Sequence, residues 1–226
     1  MSKNRVILIH GLHQNAWVMT PLARRLNQQG FYTHQFGYKS LKNNIITHSI
    51  ELNNWLKARH DPNQALDLVG HSLGGLIIRD FAARFPQWQL GRAVTLGSPH
   101  LGSVCADYAW RLAPKLVGKS YLDALDGTIA PFDKDRLCLG VIAGNKPRGL
   151  GQLVLKYHQK KQSAESLLSE QLSEQYSHDG TVYLFETRLE GAADHLVLPV
   201  SHTGMLIDKT VAMQTAYFLQ HGHFNH

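Results

Sequence analysis

Ala65–Arg84, ALDLVGHSLGGLIIRDFAAR, decides the fold. Leu66, Leu68 and Val69 make a short apolar run of the kind expected for a strand buried on both faces. Gly70-His71-Ser72-Leu73-Gly74 comes next. Leu76, Ile77, Phe81 and Phe85 then recur at helical spacing until Pro86 ends the segment. A Gly-x-Ser-x-Gly between a strand and a helix is the nucleophile-elbow pattern. The turn is tight and strained, so the positions two before and two after the serine must be small for strand and helix to approach. It lifts Ser72 Oγ clear of the sheet. It also puts Ser72 at a helix N-terminus, where free N–H groups and the dipole favour developing negative charge.

Working outward, Arg5–Ile9 reads as a first buried strand leading into His10-Gly11-Leu12-His13. Trp17–Gln29 has helical periodicity, with Gly30 as its stop, and Phe31–Phe36 is a second strand. Ile45–His60 is a second helix with a broad apolar face. Beyond the elbow unit, Ala93–Leu96, Leu137–Ala143 and Leu196–Val200 read as three further strands, and Thr210–Gln220 closes the chain as an amphipathic helix. Strands alternating with helices predict an α/β class: a doubly wound, mostly parallel sheet of about six strands with helices on both faces. No repeat or Pro/Gly/Ser-rich linker divides the chain, so residues 1–226 are expected to form a single domain. Two long connections interrupt the rhythm, as lid-like insertions near 104–136 and 144–177. The first, Ser103 to Arg136, carries Tyr108, Trp110, Leu112, Leu116 and Tyr121 and is expected to supply helices that cover the site. The second, Gly144 to Ser177, contains a helical-looking Ser163–Gln175.

At 226 residues the chain is long enough for a large shared core, and 43% apolar with 18% charged residues is ordinary for a globular protein. The apolar run near the start, Val6–Ile9, is too short for a signal-peptide core or a membrane span. Two cysteines, Cys105 and Cys138, without metal-ligand spacing, suit a reducing compartment, read as packed thiols and imply no metal site. These features predict a cytoplasmic protein with no integral membrane association. The net charge of +6 is concentrated at Lys156–Lys161 without any nucleic-acid module, so the cluster reads as a solvated face and no nucleic-acid partner is expected. His221, His223 and His226 read as a frayed polar tail.

In an open α/β sheet the chemistry sits at the carboxyl ends of the strands. His202, in Ser201-His202-Thr203-Gly204, follows the last strand, from which it can reach Ser72 as general base. Asp179, in His178-Asp179-Gly180, lies between the fifth and sixth strands and would orient His202. Asp194 precedes the final strand and so lies at the wrong end, while Glu186 and Glu190 fall in a helical-looking stretch. An oxyanion hole needs two preorganised amides: Leu73, after the nucleophile, and Leu12, in the loop after the first strand. His10, Gly11 and His71 flank these groups and are expected against the substrate.

Val6–Gly11 (VILIHG), Leu68–Gly75 (LVGHSLGG), Thr95–Ser103 (TLGSPHLGS) and Leu196–Leu206 (LVLPVSHTGML) together resemble the α/β-hydrolase superfamily, and within it compact bacterial lipases and esterases. The third segment looks like those lipases' Gly-Thr-Pro-His-x-Gly-Ser, with Ser98 where threonine is usual. The resemblance implies a Ser72–His202–Asp179 triad with Leu12 and Leu73 as oxyanion donors. The expected activity is cleavage of a small-molecule carboxylic ester, carrying an acyl chain beneath the first connection, without any cofactor. Thioester hydrolysis, acyl transfer and non-catalytic binding of a lipid or partner are the alternatives on the same fold.

Overall fold

Side chains alternate across a strand, and here both faces are apolar. In β1 (Arg5–Ile9), Ile7 and Ile9 enter one core while Val6 and Leu8 enter the other, all four fully buried. The same demand repeats in β3 (Leu66–His71), where Leu68 and Val69 face opposite cores. Truncating such a residue to alanine costs about 2–5 kcal/mol in lost transfer energy and cavity formation. With β2 (Tyr32–Phe36), β4 (Leu90–Leu96), β5 (Cys138–Gly144) and β6 (Asp194–Leu198), they form one six-stranded parallel sheet in the order β2-β1-β3-β4-β5-β6. The computed structural model describes residues 5–149, 151–165 and 176–226.

Helices cover both faces, as the alternation requires. Leu22 and Leu26 of α1 (Thr20–Gln28) pack on one side with Val211, Ala216 and Phe218 of the C-terminal helix. Leu52 and Leu56 of α2 (Ile45–Lys57) pack on the other side with Leu76, Ile77 and Phe81 of α3 (Leu73–Arg84). After β4 comes α4 (Val104–Leu112), and after β5 comes α5 (Gln152–Glu165). The closing helix is α6 (Lys209–His221), capped by the Asp208 carboxylate and stopped at Gly222 in the left-handed region.

Several expectations are corrected. The first helix starts at Thr20, not Trp17: Asn15 caps a separate 3₁₀ turn, Ala16–Met19, from which Trp17 projects at 82% exposure. β4 starts at Leu90 because Asp67 Oδ1 accepts from the Arg92 amide (2.7 Å) beside a register shift in β3, a tertiary contact that periodicity does not show. β6 begins at Asp194 and ends at Leu198. The first long connection is helical only in part, α4 being followed by short turns as far as Leu125. In the second connection α5 begins at Gln152 and carries the Lys156–Lys161 cluster with its lysines exposed. Of the expected Ser163–Gln175 helix, residues 163–165 end α5 and the remainder lies outside the described residues. The C-terminal tail is pinned, not frayed: Phe224 is buried, its amide donates to Asp194 (2.8 Å), and His226 pairs with the same carboxylate (3.1 Å). No helix among the described residues is long and apolar enough to cross a membrane.

Candidate active site

Ser72 joins β3 to α3 with φ 53°, a left-handed conformation that a non-glycine residue adopts only under constraint. Its amide donates to Leu96 O (2.9 Å) at the end of β4, and its carbonyl accepts from Gly75 (3.0 Å). The flanking glycines make the turn possible. A Cβ on Gly70 would stand 2.5 Å from the Gly74 carbonyl carbon, and one on Gly74 would collide with the Ile9 carbonyl. The sequence requirement for small residues on either side of the serine is thus a matter of backbone contact.

The turn between β5 and β6 and the loop after β6 carry a buried acid–base pair. His202 Nδ1 and Asp179 Oδ2 are 2.7 Å apart, and the side chains are 8% and 1% exposed. Asp179 Oδ1 accepts from the Thr181 (2.9 Å) and Val182 (2.8 Å) amides, so both carboxylate oxygens are engaged. The His202 amide in turn donates to the Asp179 carbonyl (2.9 Å), tying the two loops together by backbone as well as side chain. The pair lies over Gly97, which follows β4 at φ +57°; a Cβ there would be 3.1 Å from both Asp179 Oδ2 and His202 Nδ1. Because Leu96 carries the Ser72 amide bond, serine and acid–base pair occupy adjacent positions on one carboxyl edge.

The loop after β1 closes this edge. A Cβ on Gly11 would lie 3.0 Å from Ser72 Cβ, so the Gly11 backbone runs directly beside the serine. The Gly11 amide donates to Gln14 Oε1 (2.8 Å) and the His13 amide to Ser40 Oγ (3.1 Å). Between them, the Leu12 amide has no acceptor among the described residues. Leu73 opens α3, where its amide has no intrahelical carbonyl to bond.

His10 and His71 do not take the substrate-facing positions expected of them. His10 is fully buried, stacked on Tyr38 (ring centroids 4.3 Å apart), and donates through Nδ1 to Gly11 O (2.8 Å) while Tyr38 Oη donates to the His10 carbonyl (2.8 Å). His71 is 1% exposed; its Nε2–H donates to the His202 carbonyl (2.9 Å) and Nδ1 lies 3.1 Å from Gln14 Oε1. Burial pushes the His71 pKa down to about 3 and that of His10 below its ordinary value. Both rings hold loops in place, and neither presents a free nitrogen to a ligand.

Glu186, set aside on sequence as an alternative to Asp179, makes contacts that sequence reasoning missed. It lies in a single 3₁₀ turn, Phe185–Thr187, at 1% exposure. One oxygen accepts from the Val104 amide (2.6 Å) that opens α4, and the other from the Tyr183 amide (2.7 Å) in the Asp179 turn. Burial pushes its pKa up to about 8, against those two amides and with help from the negative Asp179. The same burial, with Glu186 and Asp179 nearby, pushes the Cys105 thiol up to about 12, as befits an inert packed cysteine. Asp194 does lie at the opposite end of β6, bound to the chain terminus. The roles of Gln14, Tyr38 and Glu186 arise from contacts made across the fold, and no local motif announces them.

A family model described as alpha/beta hydrolase fold matches residues 4–143. A comparison with curated proteins finds no match. Among solved structures, the chain is similar to a lipase of Bacillus licheniformis in its mature form, at 18% identity and TM-score 0.70, covering 96% of this chain and 91% of that one. It is also similar to a metagenomic carboxyl esterase, at 13% identity and TM-score 0.67 (97% and 76% covered). Methylketone synthase I of tomato, complexed with 2-tridecanone, aligns at 15% identity and TM-score 0.56 over 97% of both chains.

Proposed function

The chain belongs to the alpha/beta hydrolase fold family, and from that premise we propose that it is a serine hydrolase cleaving carboxylic esters through an acyl-enzyme. The observation that carries this reading is the buried Asp179–His202 pair, 2.7 Å apart, on the same sheet edge as a serine held at φ 53°. The lipase and carboxyl esterase with the same fold support a hydrolase of this class.

Ser72 Oγ attacks the ester carbonyl carbon as His202 Nε2 takes its proton. Asp179, already bound to Nδ1, keeps the proton-accepting nitrogen turned toward the serine and stabilises the imidazolium. The tetrahedral oxyanion accepts from the Leu12 and Leu73 amides; losing one such donor costs roughly 10²–10³ in rate. Collapse breaks the bond to the alcohol, which leaves with the proton from His202. Water then repeats the sequence on the acyl-enzyme and returns Ser72 and the free acid. His71 acts through His202, since its Nε2–H fixes the carbonyl of the base.

Hydrolysis of a p-nitrophenyl ester series from acetate upward, with wild type beside Ser72→Ala, tests this. The expected result is a rate that falls by roughly 10⁴ or more in the variant. Equal rates in both would refute the assignment of the nucleophile.

A further inference from the structure

We propose that the open cavity between the first connection and the loop before α2 binds the anionic group of an amphiphilic substrate. The proposal rests on the ester-hydrolase reading and adds to it a chemical class of substrate. The cavity has a volume of about 740 Å³, and neither Ser72 nor His202 lines it. Lys42 stands on one wall, Lys115 and Lys119 on the other, and Asp123 is the one acid in the lining; three ammonium groups less one carboxylate leave a surplus of +2. None of the three lysines has an ion-pair partner among the described residues.

The two walls are joined by hydrogen bonds that fix the backbone carrying the lysines. The Lys119 amide donates to Leu41 O (3.2 Å). Ser120 Oγ donates to Ser40 O (2.5 Å), and Ser40 Oγ accepts the His13 amide in the loop that carries Leu12. Ser40 thus links the segment that carries Lys119 to the loop assigned to the oxyanion. Asn43, Asn44 and Thr47 add neutral polar groups to the lining, and its apolar part includes Trp110, held by stacking on Tyr121 (4.6 Å), and Leu122, half exposed. Cations in surplus around one cavity repel one another, and a multiply charged anion relieves that repulsion. Apolar groups beside them favour a ligand whose charge adjoins hydrocarbon. A phosphate ester on an alkyl or acyl chain has both. The concavity suits one headgroup and a few carbons, which favours a single molecule over a flat anionic membrane.

Calorimetric titration at low salt compares octyl phosphate below its aggregation limit, octyl glucoside and inorganic phosphate, on wild type and on the triple variant Lys42→Gln, Lys115→Gln, Lys119→Gln. Octyl phosphate is expected to bind wild type at least roughly tenfold tighter than either control, and the triple variant should lose that margin, as should wild type at high salt. Hydrolysis of p-nitrophenyl acetate should be unchanged in the triple variant, showing that it folds. Equal binding of octyl phosphate and octyl glucoside, or unchanged binding in the triple variant, would overturn the site. Inorganic phosphate binding as tightly as octyl phosphate would overturn the amphiphile in favour of a free anion. Sedimentation with phosphatidylglycerol vesicles, without binding of monomeric octyl phosphate, would instead assign the lysines to a membrane-facing surface and overturn the proposal. The neutral-ester assay tests the hydrolase reading and the calorimetry tests the cavity, so the two fail separately.

Discussion

The carboxyl edge of the sheet and the Ser103–Arg136 connection meet at Glu186, yet they are built in opposite ways. At the edge, Asp179 and His202 are buried, both Asp179 oxygens are bonded, and glycine backbones fill the spaces around the serine. Along the connection, Leu112 and Leu116 stand 83% and 57% exposed, and Lys115 and Lys119 line an open cavity. The tight region over-determines one geometry, which an acyl-transfer site requires. The open region leaves apolar and cationic groups free to meet a ligand. On the proposed reading, chemistry and selectivity are divided between scaffold and insertion.

Substitutions in the two regions should differ accordingly. The largest effect is expected at the edge: Asp179→Asn should lower kcat on p-nitrophenyl butyrate by roughly 10⁴ while leaving the circular dichroism spectrum intact. A loss of less than tenfold would remove Asp179 from the triad. Next comes Gly74→Ala, whose methyl group would run into the Ile9 carbonyl. It should destabilise the fold by about 1–3 kcal/mol in urea denaturation, the range for overpacking.

Glu186→Gln probes the joint between the regions. One of its two amide partners would face an NH₂ group, costing about 1–3 kcal/mol. Its pH dependence carries a sign. A carboxyl raised from 4.5 to about 8 on folding binds more protons in the native state, so wild-type stability should fall as pH rises from about 4.5 to 8. The glutamine variant should lack this contribution, which denaturation at pH 5, 7 and 9 would read out. The smallest effect belongs to the open region. Leu112→Ser with Leu116→Ser should change stability by within about 0.5 kcal/mol each. Hydrolysis of long acyl esters should nonetheless fall several-fold relative to acetate, and a uniform change across chain lengths would place the acyl chain elsewhere.

The fold was legible because its signals are local. Leu66–Val69 followed by Gly-His-Ser-Leu-Gly and a helical repeat encodes strand, turn and helix within twenty residues, and the alternation of such units implies a parallel sheet. The candidate triad was legible through chain order, Ser72, Asp179, His202, set against strand ends. What escaped reading is tertiary. Gly91 and Arg92 hide the start of β4 because Asp67, 25 residues away, supplies the bond that continues the strand. Phe224 reads as part of a polar tail, and only the start of β6, which receives it, shows otherwise. Glu186 carried no motif at all; its partners are an amide three residues back and another 82 residues back. By sequence His10 and His71 read as substrate contacts because a histidine beside a nucleophile invites that role, whereas burial and the bonds of their ring nitrogens assign them to loop positioning.

The central claim is that Ser72 is an activated nucleophile. Reaction with a fluorophosphonate, followed by intact mass and peptide mapping, measures this without any assumption about the natural ester. One adduct per chain is expected, on Ser72, abolished by Ser72→Ala and strongly slowed by His202→Ala. An unmodified chain, or an adduct on any other residue, would contradict it.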